Sequence, residues 1–196
     1  MKNTLKEKIT ETKRQLILQE VSRIFETEGI GSVTMQQIAK EIGISVGSLY
    51  NLFDSKEALY SAYVDDQIRR FHEEFLRQCP SGSSPRKCLE RYIRLKFDTF
   101  RSKRKALEEP AMGDPLFFLK IHTQQRAAAE AILADLAKLF ALIHGEEPLK
   151  EDDSMKVAYL FNAFTTGYIE YWLHYEGSLQ ESEEEVLDRF LRGVVQ

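Results

Sequence analysis

The chain has 196 residues, 43% hydrophobic and 30% charged, with a net charge of −4. That composition excludes a disordered polymer, and no apolar run approaches the roughly 18 residues that a membrane-spanning helix needs, so no membrane partner is expected. Cys79 and Cys88 lack metal-ligand spacing and are expected as free thiols, and residues 1–11 carry no apolar signal core, so a cytoplasmic location is expected. A negative total argues against indiscriminate coating of nucleic acid but not against a local reader, because what matters is where charge sits. Lys2, Lys6, Lys8, Lys13 and Arg14 outnumber Glu7 and Glu11 at the front, whereas Glu181, Glu183, Glu184 and Glu185 form an acidic run near the end.

In chain order every element reads as helix; no segment alternates apolar and polar residues between hairpin turns. The first helix runs from residue 4 or 10 to residue 28, with Leu16, Ile17, Val21, Ile24 and Phe25 on its buried stripe and Gly29 at its end. Thr34 and Gln37 form a T-x-x-Q capping box that opens a second helix, stopped by Gly43. Ser45 caps a third that closes near Phe53. Asp54 with Glu57 opens a long fourth helix through Leu59, Tyr63, Ile68, Phe71 and Phe75. Residues 79–85 are a loop, from which Ser84 and Pro85 start a fifth helix lined by Leu89, Tyr92, Ile93, Phe97 and Phe100. A short sixth is expected from Lys103 to Glu109, halted by Pro110, Gly113 and Pro115. The seventh spans Thr123 to His144, the eighth Ser154 to Glu176, and Ser182 with Glu185 caps a ninth ending near Val195. The expected fold class is all-α, about nine helices, with a three-helix helix-turn-helix domain at residues 1–54 and a helical ligand-binding and dimerisation domain at residues 55–196.

Helix, glycine turn and short helix is the unit that DNA readers use. The two helices cross steeply, so a small residue must sit at their approach, and Ala39 supplies it. The turn needs a residue tolerant of positive φ, and Gly43 follows four positions on. Ile38, Ile42, Ile44, Leu49 and Phe53 are expected to face inward, leaving Ser45, Val46, Gly47, Ser48, Tyr50 and Asn51 outward. That face is small, neutral and hydrogen-bonding where an ordinary surface favours Lys and Glu, and it suits a major groove about 12 Å wide. Glycine inside a helix costs about 1 kcal/mol against alanine, so Gly47 implies a gain elsewhere, such as close approach to DNA. An αα-corner of a plain helical protein would account for Ala39 and Gly43, but not for Gly47 and the missing charges.

In these residues the chain resembles the tetracycline-repressor (TetR) family. The matching run is Phe25-x3-Gly29, Thr34, Ile38-Ala39, Gly43-Ile44-Ser45, Gly47-Ser48-Leu49-Tyr50, Phe53 and Ser55-Lys56-Glu57, then Leu59. The resemblance implies that residues 45–51 are the recognition helix, that Tyr50 and Lys56 reach phosphate, and that Thr34 and Gln37 present a helix N-terminus to another phosphate. Ser48, Asn51 and Gln36 are the candidates for base edges. Relatives often carry histidine where this chain has Leu52, which removes one expected contact, and no arginine on the face offers a guanine fork.

One unit reads only a few base pairs, so a homodimer on double-stranded operator DNA is expected, with half-sites about 34–36 Å apart or a multiple. Tyr159, Ala163, Gly167 and Tyr171 of the eighth helix and Val186, Phe190, Leu191 and Val194 of the ninth are the candidate seam. Aromatic residues crowd the second half, Phe117 and Phe118 among them. They point to a pocket for a small lipophilic or aromatic effector, with Phe75, Tyr92, Phe97 and Phe100 as walls and Asn162 and Thr166 as polar groups. A satisfied core or interface network explains those polar groups equally well. The alternative is a helical ligand-binding or metal-dependent enzyme domain whose helix-turn-helix does not bind DNA. His72, His122, His144 and His174 fall on different predicted helices, and no phosphate loop or nucleophile elbow appears, so no catalytic residue, metal or cofactor is expected.

Overall fold

The computed structural model describes residues 4–113, 126–146, 148–175 and 179–194, with the backbone alone described at 109–113, 126 and 194. Among the described residues there are nine helices and no strand: α1 (Leu5–Glu28), α2 (Met35–Ile42), α3 (Val46–Tyr50), α4 (Lys56–Gln78), α5 (Pro85–Ser102), α6 (Arg104–Gly113), α7 (Arg126–Glu146), α8 (Ser154–Tyr175) and α9 (Glu183–Val194). No helix among them is long and apolar enough to cross a membrane. Phe117, Phe118 and the expected helix start at Thr123 lie outside the described residues.

Drawn by contacts, the chain forms two compact units: Met1–Gln67 with Lys103–Pro115, and Ile68–Ser102 with Leu116–Gln196. This differs from the division expected at residue 54, because α6 returns to α1. Lys103 pairs with Glu26, Lys105 Nζ donates to the Thr27 carbonyl at 3.0 Å, and Ala106 and Leu107 are buried. α6 continues past Pro110, which was expected to halt it, although proline withdraws the amide that would reach the Ala106 carbonyl.

In the first unit Ile17, Leu18, Val21, Ile24 and Phe25 of α1 form the core with Ile38, Leu49, Phe53, Leu59 and Tyr63. Phe25 meets Tyr63 edge-on, with ring centroids 5.3 Å apart. Leu16, expected on the buried stripe, is 57% exposed: Ile17 and Leu18 already fill the inward arc at that turn. The start of α4 also differs from expectation. Ser55, not Asp54, supplies the cap, its hydroxyl accepting from the Ala58 amide at 3.1 Å.

The second unit packs α5, α7, α8 and α9 around a ladder of rings. Phe161 contacts Phe140 at 5.3 Å, Phe190 at 5.1 Å and Tyr92 at 5.8 Å. α9 is tied to α5 at its rim by Arg86–Asp188 and Arg94–Glu183. Cys79 and Cys88 are free thiols at the α4–α5 loop and on α5.

Candidate nucleic-acid interface

The geometry of the helix-turn-helix follows from local chemistry. At the start of α2 the Thr34 hydroxyl accepts from the Gln37 amide at 3.3 Å, and the Gln37 side chain accepts from the Thr34 amide at 2.8 Å. At its end Gly43 takes φ 78°, and the Ile44 amide returns to the Ala39 carbonyl at 2.9 Å, closing the helix and turning the chain. Ala39 is fully buried at this corner. Ser45 then caps α3 by accepting from the Ser48 amide at 3.1 Å.

α3 has only five residues, fewer than a helix needs to persist alone, so its shape is imposed by what lies behind it. Leu49 and Phe53 are the buried anchors; Ile42 and Ile44, expected inward, are half-buried. Regular helix ends at Tyr50 rather than near Phe53, with Asn51 as cap, although the Leu52 and Phe53 amides still return to the Leu49 carbonyl at 3.1 and 3.0 Å. Arg14 of α1 completes the brace. Its Nη1 donates to the Leu52 carbonyl at 2.9 Å and its guanidinium lies 4.4 Å from the centroid of the Phe53 ring. Desolvation raises the Asp65 carboxyl on α4, and the Arg14 charge offsets part of that rise. Sequence reading counted Arg14 only as part of a basic front; the available signal was its place three residues before the buried Ile17.

Of the ten candidate DNA residues, Thr34, Gln36, Gln37, Ser45, Gly47, Tyr50 and Asn51 are exposed. Val46 and Ser48, expected to point outward, are half-buried, as is Lys56. The Ser45 and Ser48 hydroxyls bond to each other at 2.8 Å, and either can be the donor. A Cβ added at Gly47 would meet nothing within 4 Å. Among the described residues no neighbour therefore requires glycine there.

Of the candidate effector residues, Phe75, Tyr92, Asn162 and Thr166 come together inside the second unit, and Phe97 packs on Tyr168. Phe75, Tyr92 and Phe97 are buried, and Phe100, Asn162 and Thr166 are half-buried. Phe75 packs edge-on against Tyr92 at 5.5 Å, and the Tyr92 hydroxyl donates to Asn162 Oδ1 at 2.8 Å. At the centre stands a residue that sequence reading missed, Lys96. Its Nζ donates to Asn162 Oδ1 (2.9 Å), the Asn162 carbonyl (3.0 Å), Thr165 Oγ1 (2.9 Å) and Thr166 Oγ1 (2.8 Å), and it is 6% exposed. Burial lowers its pKa to about 7, offset in part by the charge of Glu170. Periodicity held the clue: Leu89, Tyr92, Ile93, Lys96 and Phe97 recur at helical spacing, so Lys96 occupies a core position of α5.

The two halves of the candidate seam separate. Tyr159, Ala163, Gly167 and Tyr171 share one exposed face of α8, continued by Met155 and Tyr175, with Tyr171 61% exposed. On α9, by contrast, Val186, Phe190 and Leu191 are buried within the subunit, where Phe190 stacks on the ring ladder; they are core, not surface. Nothing is described of the Val194 side chain. Two histidines have structural bonds: His72 Nε2 lies 2.7 Å from Asp135, and His144 Nδ1 accepts from the Leu149 amide at 3.1 Å.

Residues 17–63 match the family model described as "Bacterial regulatory proteins, tetR family". An uncharacterized HTH-type transcriptional regulator of Mycobacterium tuberculosis is 40% identical over 67 residues, which are 34% of this chain and 33% of that protein. Another, YerO of Bacillus subtilis, is 31% identical over 96 residues, 45% of this chain and 32% of the relative. The chain thus spans about a third of the length of the curated relatives it matches. Solved structures share the whole fold at low identity. The transcriptional regulator FadR from Bacillus subtilis, in complex with stearoyl-CoA, has a TM-score of 0.70 at 14% identity, over 90% of this chain and 97% of that one. FadR of Thermus thermophilus, a TetR-family repressor in complex with lauroyl-CoA, has a TM-score of 0.63 at 21% identity, over 91% of each. The capped α2, the glycine turn, the braced α3 and the matches at residues 17–63 agree: that segment carries the helix-turn-helix domain of the tetR family of bacterial regulatory proteins.

Proposed function

We propose that this protein is a sequence-specific DNA-binding transcription regulator, acting as a homodimeric repressor that a small lipophilic or aromatic effector releases from its operator. One observation carries the DNA-binding reading: the exposed, uncharged edge of α3, with a glycine that no internal contact requires, held from behind by Leu49, Phe53 and Arg14. Tyr50 and Lys56 are assigned to phosphate, and Asn51, Gln36 and Ser48 to base edges. The amides at the start of α2 face the second phosphate. The domain roles are residues 1–54 for DNA and 55–196 for effector and partner.

Dimerisation is supported by the apolar face of α8, which a lone subunit leaves wet. The effector class is supported by the buried aromatic residues around Tyr92 and by the acyl-CoA complexes of two structural neighbours. If binding lowers operator affinity a hundredfold, the coupling is about 2.7 kcal/mol, within the usual range for allosteric proteins. Mobility shifts on the DNA upstream of the protein's own gene, across a salt series, test the proposal. Specific binding gives retention well above that on random duplex, falling steeply with salt. Equal affinity for both DNAs at moderate salt would overturn it.

A further inference from the structure

Lys96 is anomalous among the buried groups. Position 96 lies on the apolar stripe of α5, where leucine or methionine would pack without desolvating a charge, and such replacements of buried ions are commonly neutral or stabilising. Its ammonium has three N–H groups and four oxygen acceptors within 3.0 Å. All four acceptors are neutral. Its hydrogen bonds are complete and its charge is not balanced, since Glu170, the charged group that acts on it, makes no ion pair with it and stays half-buried. The other groups facing it, Tyr92, Asn162, Thr165 and Thr166, carry no charge.

We propose that Lys96 anchors the carboxylate of an amphiphilic monocarboxylic acid, whose apolar body lies among the aromatic side chains around Tyr92. The inference rests on the effector reading above and names the chemistry of that effector. Three features favour it. Four acceptors for three N–H groups leave one redundant, so a carboxylate oxygen can replace a neutral oxygen. The displaced group is not stranded, because Thr165 Oγ1 also donates to the Phe161 carbonyl at 3.1 Å and Thr166 Oγ1 to the Asn162 carbonyl at 2.8 Å. Asn162 and Thr166, half-buried, mark the side from which the cluster is reached. The charge count selects a monoanion: among the described residues no second cation bonds to this cluster, and Glu170 opposes a dianion, so a free acid is favoured over a phosphate-bearing thioester.

The test is calorimetric titration of the full-length protein, without DNA, with decanoate, methyl decanoate and decanoyl-CoA below their micelle concentrations. Wild type and K96M are compared, with thermal melts to show that the variant folds. At about pH 6.5 decanoate binds about tenfold or more tighter than its ester. That preference weakens by up to about tenfold per pH unit above about pH 7, as the free amine loses its proton. K96M binds acid and ester alike. Equal binding of acid and ester by wild type, a preference that survives K96M, tighter binding of the thioester, or no binding of the acid at millimolar concentration would each overturn the assignment. Should K96M fail to fold, the pH profile of wild type decides alone. Because DNA is absent, a negative result here is distinct from a failure of operator binding.

Discussion

Exchanging Lys96 for methionine removes one buried charge while the hydroxyls of Thr165 and Thr166 keep their main-chain partners. In the folded chain the amine titrates at about 7, against its ordinary 10.5, because burial disfavours the ammonium. Above about pH 7 the unfolded chain therefore holds a proton that the folded chain has released, and stability must rise with pH until about 10.5. The burial penalty is present in full below the folded pKa and fades above it. With 1.36 kcal/mol per unit of pKa, the wild-type chain gains about 2 kcal/mol from this group between about pH 7 and about pH 9. The variant lacks that slope and at neutral pH is more stable by about 1–4 kcal/mol, as expected when a buried charge gives way to a packed apolar side chain. Urea unfolding followed by the fluorescence of Trp172, the only tryptophan of the chain, reads both effects over that pH range. Parallel stability curves for the two proteins would refute the account of a desolvated ammonium.

Three further outcomes test the surface assignments. Arg14→Ala lowers operator affinity about tenfold with the fold intact. It leaves the slope of log affinity against log salt unchanged, whereas loss of a phosphate contact would reduce that slope by about 0.9. Gly47→Ala raises the melting temperature by about 2–4 °C, since alanine favours helix by about 1 kcal/mol and nothing obstructs its methyl. The same change lowers operator affinity about tenfold in mobility shifts if the edge of α3 closes against DNA; undiminished affinity would remove Gly47 from the interface. A Cβ added at Gly167 meets nothing within 4 Å and the position is exposed, so Gly167→Arg is expected to keep the melt of the isolated chain. Sedimentation shows a monomer, and operator affinity falls about a hundredfold as bivalency is lost. A persistent dimer would exclude the α8 face.

Caps and turns were legible in the sequence because their chemistry is complete within a few residues. The Thr34–Gln37 box, Gly43, the Ser45 cap and the Ser182 cap, whose hydroxyl accepts from the Glu185 amide at 3.2 Å, stand where the residues place them. Asp54 and Ser55 show the limit of such reading: both are capping types and adjacent, and residue type alone does not choose between them. Burial was legible where periodicity was strong and failed where partners were distant in sequence. Leu16 is apolar but lies just off the inward arc, and the apolar face of α9 satisfies a core as well as it would an interface. Arg14 and Lys96 stayed hidden for another reason. Their roles depend on acceptors 38 and about 66–70 residues away, and local spacing holds no record of those.

The return of α6 to α1 means that the first unit is not a contiguous piece of polypeptide. Its interior is completed by a segment made only after residues 68–102, which belong to the other unit, at a separation of 77 residues from Glu26 to Lys103. A fragment cut after Gln67 would bare the seat of Ala106 and Leu107 on α1 and leave Glu26 without its cation. Grafting this unit onto another protein therefore calls for a scaffold that hands back a short helix at the same place, and late arrival of that helix ties the folding of the unit to synthesis of the chain through α6.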